Sequence, residues 1–419
     1  MEPAISLASL ATFSILFSVV RPTLPYWGYV WCRFSDFLAI SIVLFSLLMH
    51  PKFRKDALND STVVSMSFWT ILYILVILIS IFSNALLFDF SLKNLVEITR
   101  PIILCSCFLF GYFYVDEKRL SFNFFLKTLV AIAFLNVTVG VLQLLLPDPY
   151  KYCFYYPYVG NNLYCHGRAG GISYNHIEYT TLSALGALSS IFLFHKTNLI
   201  RYLVAAFIIL PLSLLSLSKT SLLLVGSLTL VISVYFFKQH SSVKMKIAIL
   251  LMACLLFSTA SIIVLKSEYL YNGVVSLFDS RTILLTNFRG SIGERLKDIA
   301  IVFQNIFLGD YHYAFFIGFS SLRANALSEI EISLINLLFR FGLIGFFLYY
   351  AFILRPFFSW IRFRKKAHFS FLSLLGALSF IIFLMDFTTN CSESIKFSVL
   401  YAIFIGASER YFKTKTVQF

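Results

Sequence analysis

Five cations, Arg281, Arg289, Arg295, Lys297 and Arg323, share one stretch, residues 266–328, of a chain in which charge is scarce. Arg289 and Arg295 flank Ser291-Ile-Gly-Glu294, a capping-box pattern that opens helices. Ile292, Leu296, Ile299, Phe303 and Ile306 follow at helical spacing and Gly309 supplies a stop, which predicts an amphipathic helix over 291–307. Cations at a helix N-terminus oppose its dipole by roughly 0.3–1 kcal/mol unless an anion sits there. Free backbone N–H groups and forked guanidinium both suit the oxygens of a pyrophosphate. The competing account is that long translocated loops ignore charge bias and these residues touch lipid headgroups.

Other groups fit the same chemistry. Glu329 and Glu331 stand at the head of an apolar run, with His312 upstream. A carboxylate there can deprotonate a sugar hydroxyl, and it can equally cap the helix. Arg168 and Asn175 bound Arg-Ala-Gly-Gly-Ile-Ser-Tyr-Asn, after a loop rich in Tyr and Asn that reads either as a glycan platform or as an interfacial aromatic belt. In that loop Cys153 and Cys165 are either bridged or free. Lys219 follows Leu-Ser-Leu-Ser in a tight turn between two apolar runs, where it either snorkels or completes a phosphate surface. Arg340 lies well inside a third run, about 16 Å deep if that helix is straight. It reads as functional or as half of a buried pair with Asp36, Glu178 or Asp386. The sequence shows no Walker loop, zinc-binding His pair, nucleophile elbow or Asp-x-Asp pair, so neither a metal nor another cofactor is expected.

The elements that must position these groups are membrane helices. Only 13% of residues are charged, about half the usual share of a soluble domain, and 59% are hydrophobic. Apolar runs fall at 4–20, 34–50, 62–83, 98–115, 122–146, 175–195, 199–218, 220–237, 247–265, 329–354, 369–387 and 394–408. Inside lipid such runs satisfy their backbone only as helices, so the expected fold is an all-α polytopic bundle of about 12 spans, residues 1–419 forming one membrane domain. The first run lacks a basic leader and a cleavage site, so it reads as a retained span.

The formal charge of +14 sits in short loops between runs, which argues for membrane topology and against a nucleic-acid partner. Lys52, Arg54 and Lys55, then Lys118 and Arg119, Lys238, Lys244 and Lys246, and Arg362 to Lys366 mark the cytoplasmic side and put both termini there. Residues 147–174 and 266–328 then become outer loops.

These segments resemble a family, the bacterial O-antigen polymerases and ligases. Arg168-Ala-Gly-Gly-Ile-Ser-Tyr-Asn175 is similar to their Arg-x-x-Gly…Asn stretch, and Leu217-Ser-Lys-Thr220 to their Ser-Arg before a span. Gly293-Glu-Arg295 and the helix ending near Gly309 resemble their Arg-bearing outer loop. Ser328-Glu-Ile-Glu331 with Leu337-Leu-Phe-Arg340-Phe-Gly-Leu-Ile-Gly345 resembles the descent into the next span. Lys219 departs from the usual Arg, and Ser328-Glu329 replaces the His-Asn pair of the ligases, which favours the Wzy-like polymerase branch.

The resemblance implies a metal-independent inverting glycosyltransferase of the bacterial inner membrane. It acts on repeat units linked to undecaprenyl pyrophosphate at the periplasmic face, within lipopolysaccharide biosynthesis, and meets membrane lipids and a chain-length regulator protein as partners. Arg289, Arg295 and Glu329 would be catalytic. Arg168, Lys219, Arg281, His312, Arg340, Asn175 and Glu331 would bind substrate. The alternatives are a ligase acting on lipid A-core and a polysaccharide flippase, the latter disfavoured by the long loop.

Overall fold

The computed structural model describes residues 3–20, 28–56, 59–85, 97–114, 122–146, 169–173, 176–239, 258, 299–300, 303–304, 312, 314–319, 333–363, 371–386 and 395–416. Among them every regular element is helical and no strand occurs. The helices are α1 (Pro3–Val20), α2 (Gly28–Met49), α3 (Pro51–Asp56), α4 (Ser61–Ala85), α5 (Thr99–Tyr114), α6 (Phe122–Leu145) and α7 (His176–Thr197). Then come α8 (Ile200–Ser213), a 3-10 turn (Leu214–Ser216), α9 (Lys219–Gln239), α10 (Ala314–Ile317), α11 (Ser333–Ile353), α12 (Arg355–Phe363), α13 (Phe371–Met385) and α14 (Ile395–Thr416). Eleven of the expected apolar runs therefore contain helix; the run at 247–265 lies outside the described residues apart from Ser258.

Four of these helices are long and apolar enough to cross a bilayer: 61–83, 122–145, 176–197 and 334–353. Shorter apolar helices accompany them, and large side chains such as Phe13, Phe37 and Phe68 face outward. Apolar surface on this scale is that of a membrane protein. The fourth long helix is not one rod. Gly342 has φ 64° and ψ −172°, so α11 is two half-helices joined at a break. Arg340 lies in the first half-helix, two residues before the break.

Close backbone contact holds the bundle together. A Cβ on Gly111 of α5 would stand 2.1 Å from the Ile403 carbonyl oxygen of α14, and one on Gly406 would stand 2.0 Å from that of Phe108. In lipid, packing of this kind replaces the hydrophobic drive that water supplies elsewhere. α7 is the central helix, touching α6, α8, α9, α13 and α14. It is rich in Ser and Thr, yet several of their hydroxyls return to carbonyls one turn back, as Ser183 does to Tyr179 and Ser189 to Leu185 (both 2.8 Å). These hydroxyls are thus satisfied within the helix, as burial among apolar neighbours favours.

The helix ends gather into two sets. At one, the basic end, Asp60 before α4 accepts from the Tyr112 hydroxyl of α5 (2.8 Å) and from Lys413 of α14 (2.9 Å). Arg355 pairs with Glu409 through both carboxylate oxygens, and Phe122, Phe192 and Tyr411 meet ring to ring. At the opposite set lie the end of α6, the start of α7, the α8–α9 turn and the start of α14.

Candidate functional site

Residues 169–173, the middle of the Arg168–Asn175 motif, enter the bundle as a buried loop. Two amide side chains of α6, seven residues apart and so on one helix face, hold it. Gln143 Oε1 accepts from the N–H groups of Gly170 (3.0 Å) and Gly171 (2.8 Å), while its Nε2 donates to the Gly171 carbonyl (2.9 Å). Asn136 Oδ1 accepts from the Ile172 N–H (3.1 Å), and its Nδ2 donates to the Tyr179 carbonyl (2.8 Å) and to Ser183 (3.0 Å). Lys396 of α14 donates to the Ile172 carbonyl (2.7 Å). Gly171 has φ 58°, and a Cβ there would come 2.2 Å from Asn136 Oδ1, so the turn needs glycine.

Beside this loop is the α8–α9 turn. The Ala169 N–H donates to the Leu215 carbonyl (3.0 Å), and Thr180 of α7 donates to Ser216 (3.1 Å). Ser216 donates to Ser221 (2.6 Å), and Ser218 caps α9 by accepting the Ser221 N–H (3.0 Å). Leu217 between them is left-handed (φ 47°), a conformation a leucine adopts only where its surroundings force it. The turn places Lys219 at the first residue of α9. The backbone after Arg168 and the backbone before Lys219 are therefore hydrogen-bonded neighbours, although the two motifs are far apart in the chain.

The break in α11 forms a second polar region. It frees carbonyls that water cannot reach, and other parts of the chain supply the donors. The Phe319 N–H donates to the Phe339 carbonyl (2.7 Å), and the Ser80 hydroxyl of α4 to that of Arg340 (3.1 Å). Asp386, at the end of α13, meets both half-helices: its carbonyl accepts from the Leu334 N–H (3.3 Å) and its carboxylate from the Tyr350 hydroxyl (2.9 Å). Arg340 is buried and pairs with Glu97, just before α5, with its guanidinium 5.0 Å from the Phe341 ring centre. Glu97, a residue the sequence reading did not name for this role, is thus an ion-pair partner of Arg340. Near the break, Gly318 backs onto Arg340 and Gly342 onto Phe316, so the segment 314–319 seals it.

Of the residues singled out from sequence, Arg340 is buried at the break, Lys219 opens α9, and His312 is exposed two residues before α10, its carbonyl accepting from the Phe315 N–H. Arg168, Asn175, Arg281, Arg289, Arg295, Glu329 and Glu331 lie outside the described residues, as do Cys153 and Cys165. Within the expected helix over 291–307, Ile299, Ala300 and Phe303 are helical, and Ile299 packs against the core. Sequence reasoning missed Asn136, Gln143, Glu97 and Lys396. Two amides seven residues apart within an apolar run were a readable signal for the first pair.

These amides, hydroxyls and the Lys396 ammonium spend their bonds on the protein itself. Their effect is to fix a backbone from which Arg168 and Lys219 emerge. Among the described residues no three His, Cys, Asp or Glu are grouped so as to hold a metal ion. No family model matches the chain, and no curated protein matches it.

Proposed function

We propose that the chain polymerises oligosaccharide repeat units carried on undecaprenyl pyrophosphate, as an inverting glycosyltransferase at the outer face of a bacterial inner membrane. On this reading the chain has twelve spans and both ends are cytoplasmic. The reducing end of one glycan leaves its lipid pyrophosphate and joins a hydroxyl of another lipid-linked unit. Arg289 and Arg295, with Arg168 and Lys219, neutralise the departing pyrophosphate, and Glu329 takes the proton of the acceptor hydroxyl. One observation carries the reading: the Ala169 N–H to Leu215 carbonyl bond joins the backbones of the two cation-bearing motifs, as one anion gripped from both would require.

The deciding experiment is the lipopolysaccharide ladder of a strain lacking the chain. A core bearing a single repeat unit is the expected result. An uncapped core with accumulated lipid-linked polymer would mean a ligase, and an unchanged ladder would end the proposal. Within it, Arg295→Ala should slow chain growth by roughly 10²- to 10³-fold, the loss of about 2–4 kcal/mol from one oxyanion-stabilising donor. Arg295→Lys should recover part of that, since the charge returns without the planar fork. Normal chain lengths in Arg295→Ala would remove that arginine from the site.

A further inference from the structure

We infer that α3 is a pH-sensitive clasp, held against the bundle by an unprotonated His50 and released when that imidazole takes up a proton. His50 stands at the N-cap of α3, a place usually taken by Ser, Thr, Asp or Asn. Pro51 follows at the first helical position and has no N–H to satisfy. The Arg54 N–H donates to the His50 carbonyl (3.1 Å), and the Phe53 N–H donates to His50 Nδ1 (3.3 Å). Nδ1 accepts that bond only while it carries no proton of its own, so the cap requires the neutral ring.

The surroundings favour the same state. The ring is 1% exposed and packs on Phe113 (5.5 Å between ring centres) and Tyr114 (4.6 Å) of α5. Phe53 rests on Phe113 as well (5.4 Å), and the Tyr114 hydroxyl is given to the Ser46 carbonyl of α2 (2.5 Å). The charged side chains described on α3 are Lys52, Arg54 and Lys55, all exposed and all positive. Asp60, the acid ahead of α4, accepts from Tyr112 and Lys413. A proton on Nδ1 turns the acceptor into a donor aimed at an N–H. It also adds a fourth cation beside those three and sets positive charge at a helix N-terminus. Six residues are too few to hold a helix unaided, so α3 depends on this cap and on Phe53. The corner belongs to the basic end, beside Tyr112, and the inference stands whether or not the glycosyltransferase reading does.

The test is hydrogen exchange of the purified full chain in lipid nanodiscs, mapped by mass spectrometry. The quantity read is the exchange rate of residues 50–56 relative to that of α12, a ratio that cancels the intrinsic effect of pH on exchange. A group that binds a proton in the released state and not in the docked one weakens docking as pH falls below its released value, near 6.5 for imidazole. In the parent the ratio should therefore be level from about pH 8 to 7 and climb by up to roughly tenfold at about pH 5.5. His50→Asn, whose amide oxygen caps without titrating, should make the ratio independent of pH. His50→Ala should raise it several-fold at neutral pH and also remove the pH dependence. A level ratio in the parent overturns the inference. So does a climb that survives in His50→Asn, which would belong to another group, or a His50→Ala chain as protected as the parent at neutral pH.

Discussion

The two ends of the bundle solve the same problem, joining helices that are distant in sequence, with opposite chemistry. The basic end uses charge near water. Asp60 caps α4 through the Thr62 N–H (2.9 Å) and collects Tyr112 and Lys413, whose side chain is 44% exposed. Apart from the Lys396 ammonium, the loop end uses neutral groups away from water: Asn136, Gln143, and the hydroxyls of Thr180, Ser216 and Ser221, all buried. An exposed pair is screened and contributes about 0.2–1 kcal/mol, whereas a buried polar group stripped of its partner costs about 1–3 kcal/mol. The loop end should therefore be brittle and the basic end forgiving.

The largest effect is expected at the ion pair beside the broken helix. Glu97→Gln leaves the Arg340 guanidinium buried without its counter-charge, which costs about 3–5 kcal/mol. Unfolding of the detergent-solubilised chain, followed by fluorescence, should show it; a loss as small as a surface pair's would mean that this pair is solvated like the one at Asp60. Asn136→Leu comes next. It orphans the Ile172 N–H and frees the Tyr179 side of the clamp, for about 2–4 kcal/mol over two such groups. Residues 169–173 should then become open to proteolysis or hydrogen exchange while the basic end stays protected, and uniform exposure would show that the ends do not behave separately.

A smaller loss is expected for Gly342→Ala. The φ of 64° with ψ of −172° is tolerated almost only by glycine, and a Cβ would meet the Phe316 carbonyl at 2.3 Å. The backbone strain alone is about 1–3 kcal/mol. A variant as stable as the parent would mean that the break can straighten.

The smallest effect belongs to Asp60→Asn, about 0.2–1 kcal/mol at neutral pH. Burial pushes the Asp60 carboxyl up, but hydrogen bonds from Lys413, Tyr112 and the Thr62 N–H outweigh it and hold it below the usual carboxylate range. Burial pushes Lys413 down, and its bonds to Asp60 and Tyr112 raise it above the usual lysine range. A depressed acid stabilises the fold above its unfolded value, near 3.9, and loses that contribution as pH falls through the lower folded value. A raised base contributes below about 10.4 and loses its share as pH rises through the higher folded value. The difference between parent and Asp60→Asn should be flat from about pH 5 to 9 and close below about pH 4. A penalty that persists in acid would mean Asp60 acts by shape rather than charge.

Helix positions were legible in the sequence because lipid leaves the backbone one choice: α4, α5 and α6 begin and end within two residues of the apolar runs that announce them. The break at Gly342 was not. One glycine in an apolar run is compatible with a straight helix, and what bends this one is the approach of Phe316 and Gly318 from another part of the chain. Arg340 was readable as an intramembrane charge, but its partner was not, because Glu97 sits at the head of α5 and only packing brings the two together. Neighbourhood of the Arg168 and Lys219 motifs was an expectation taken from chemistry, and the Ala169–Leu215 bond supports it at the level of backbone.

The glycine contact between α5 and α14 bears on how the chain is made. α5 emerges from the ribosome early and α14 only after every other described helix. Until then the contact between Gly111 and the Ile403 carbonyl cannot form. The seam thus ties an early helix to a late one, and a chain halted before Ile395 would lack both glycine contacts that close it.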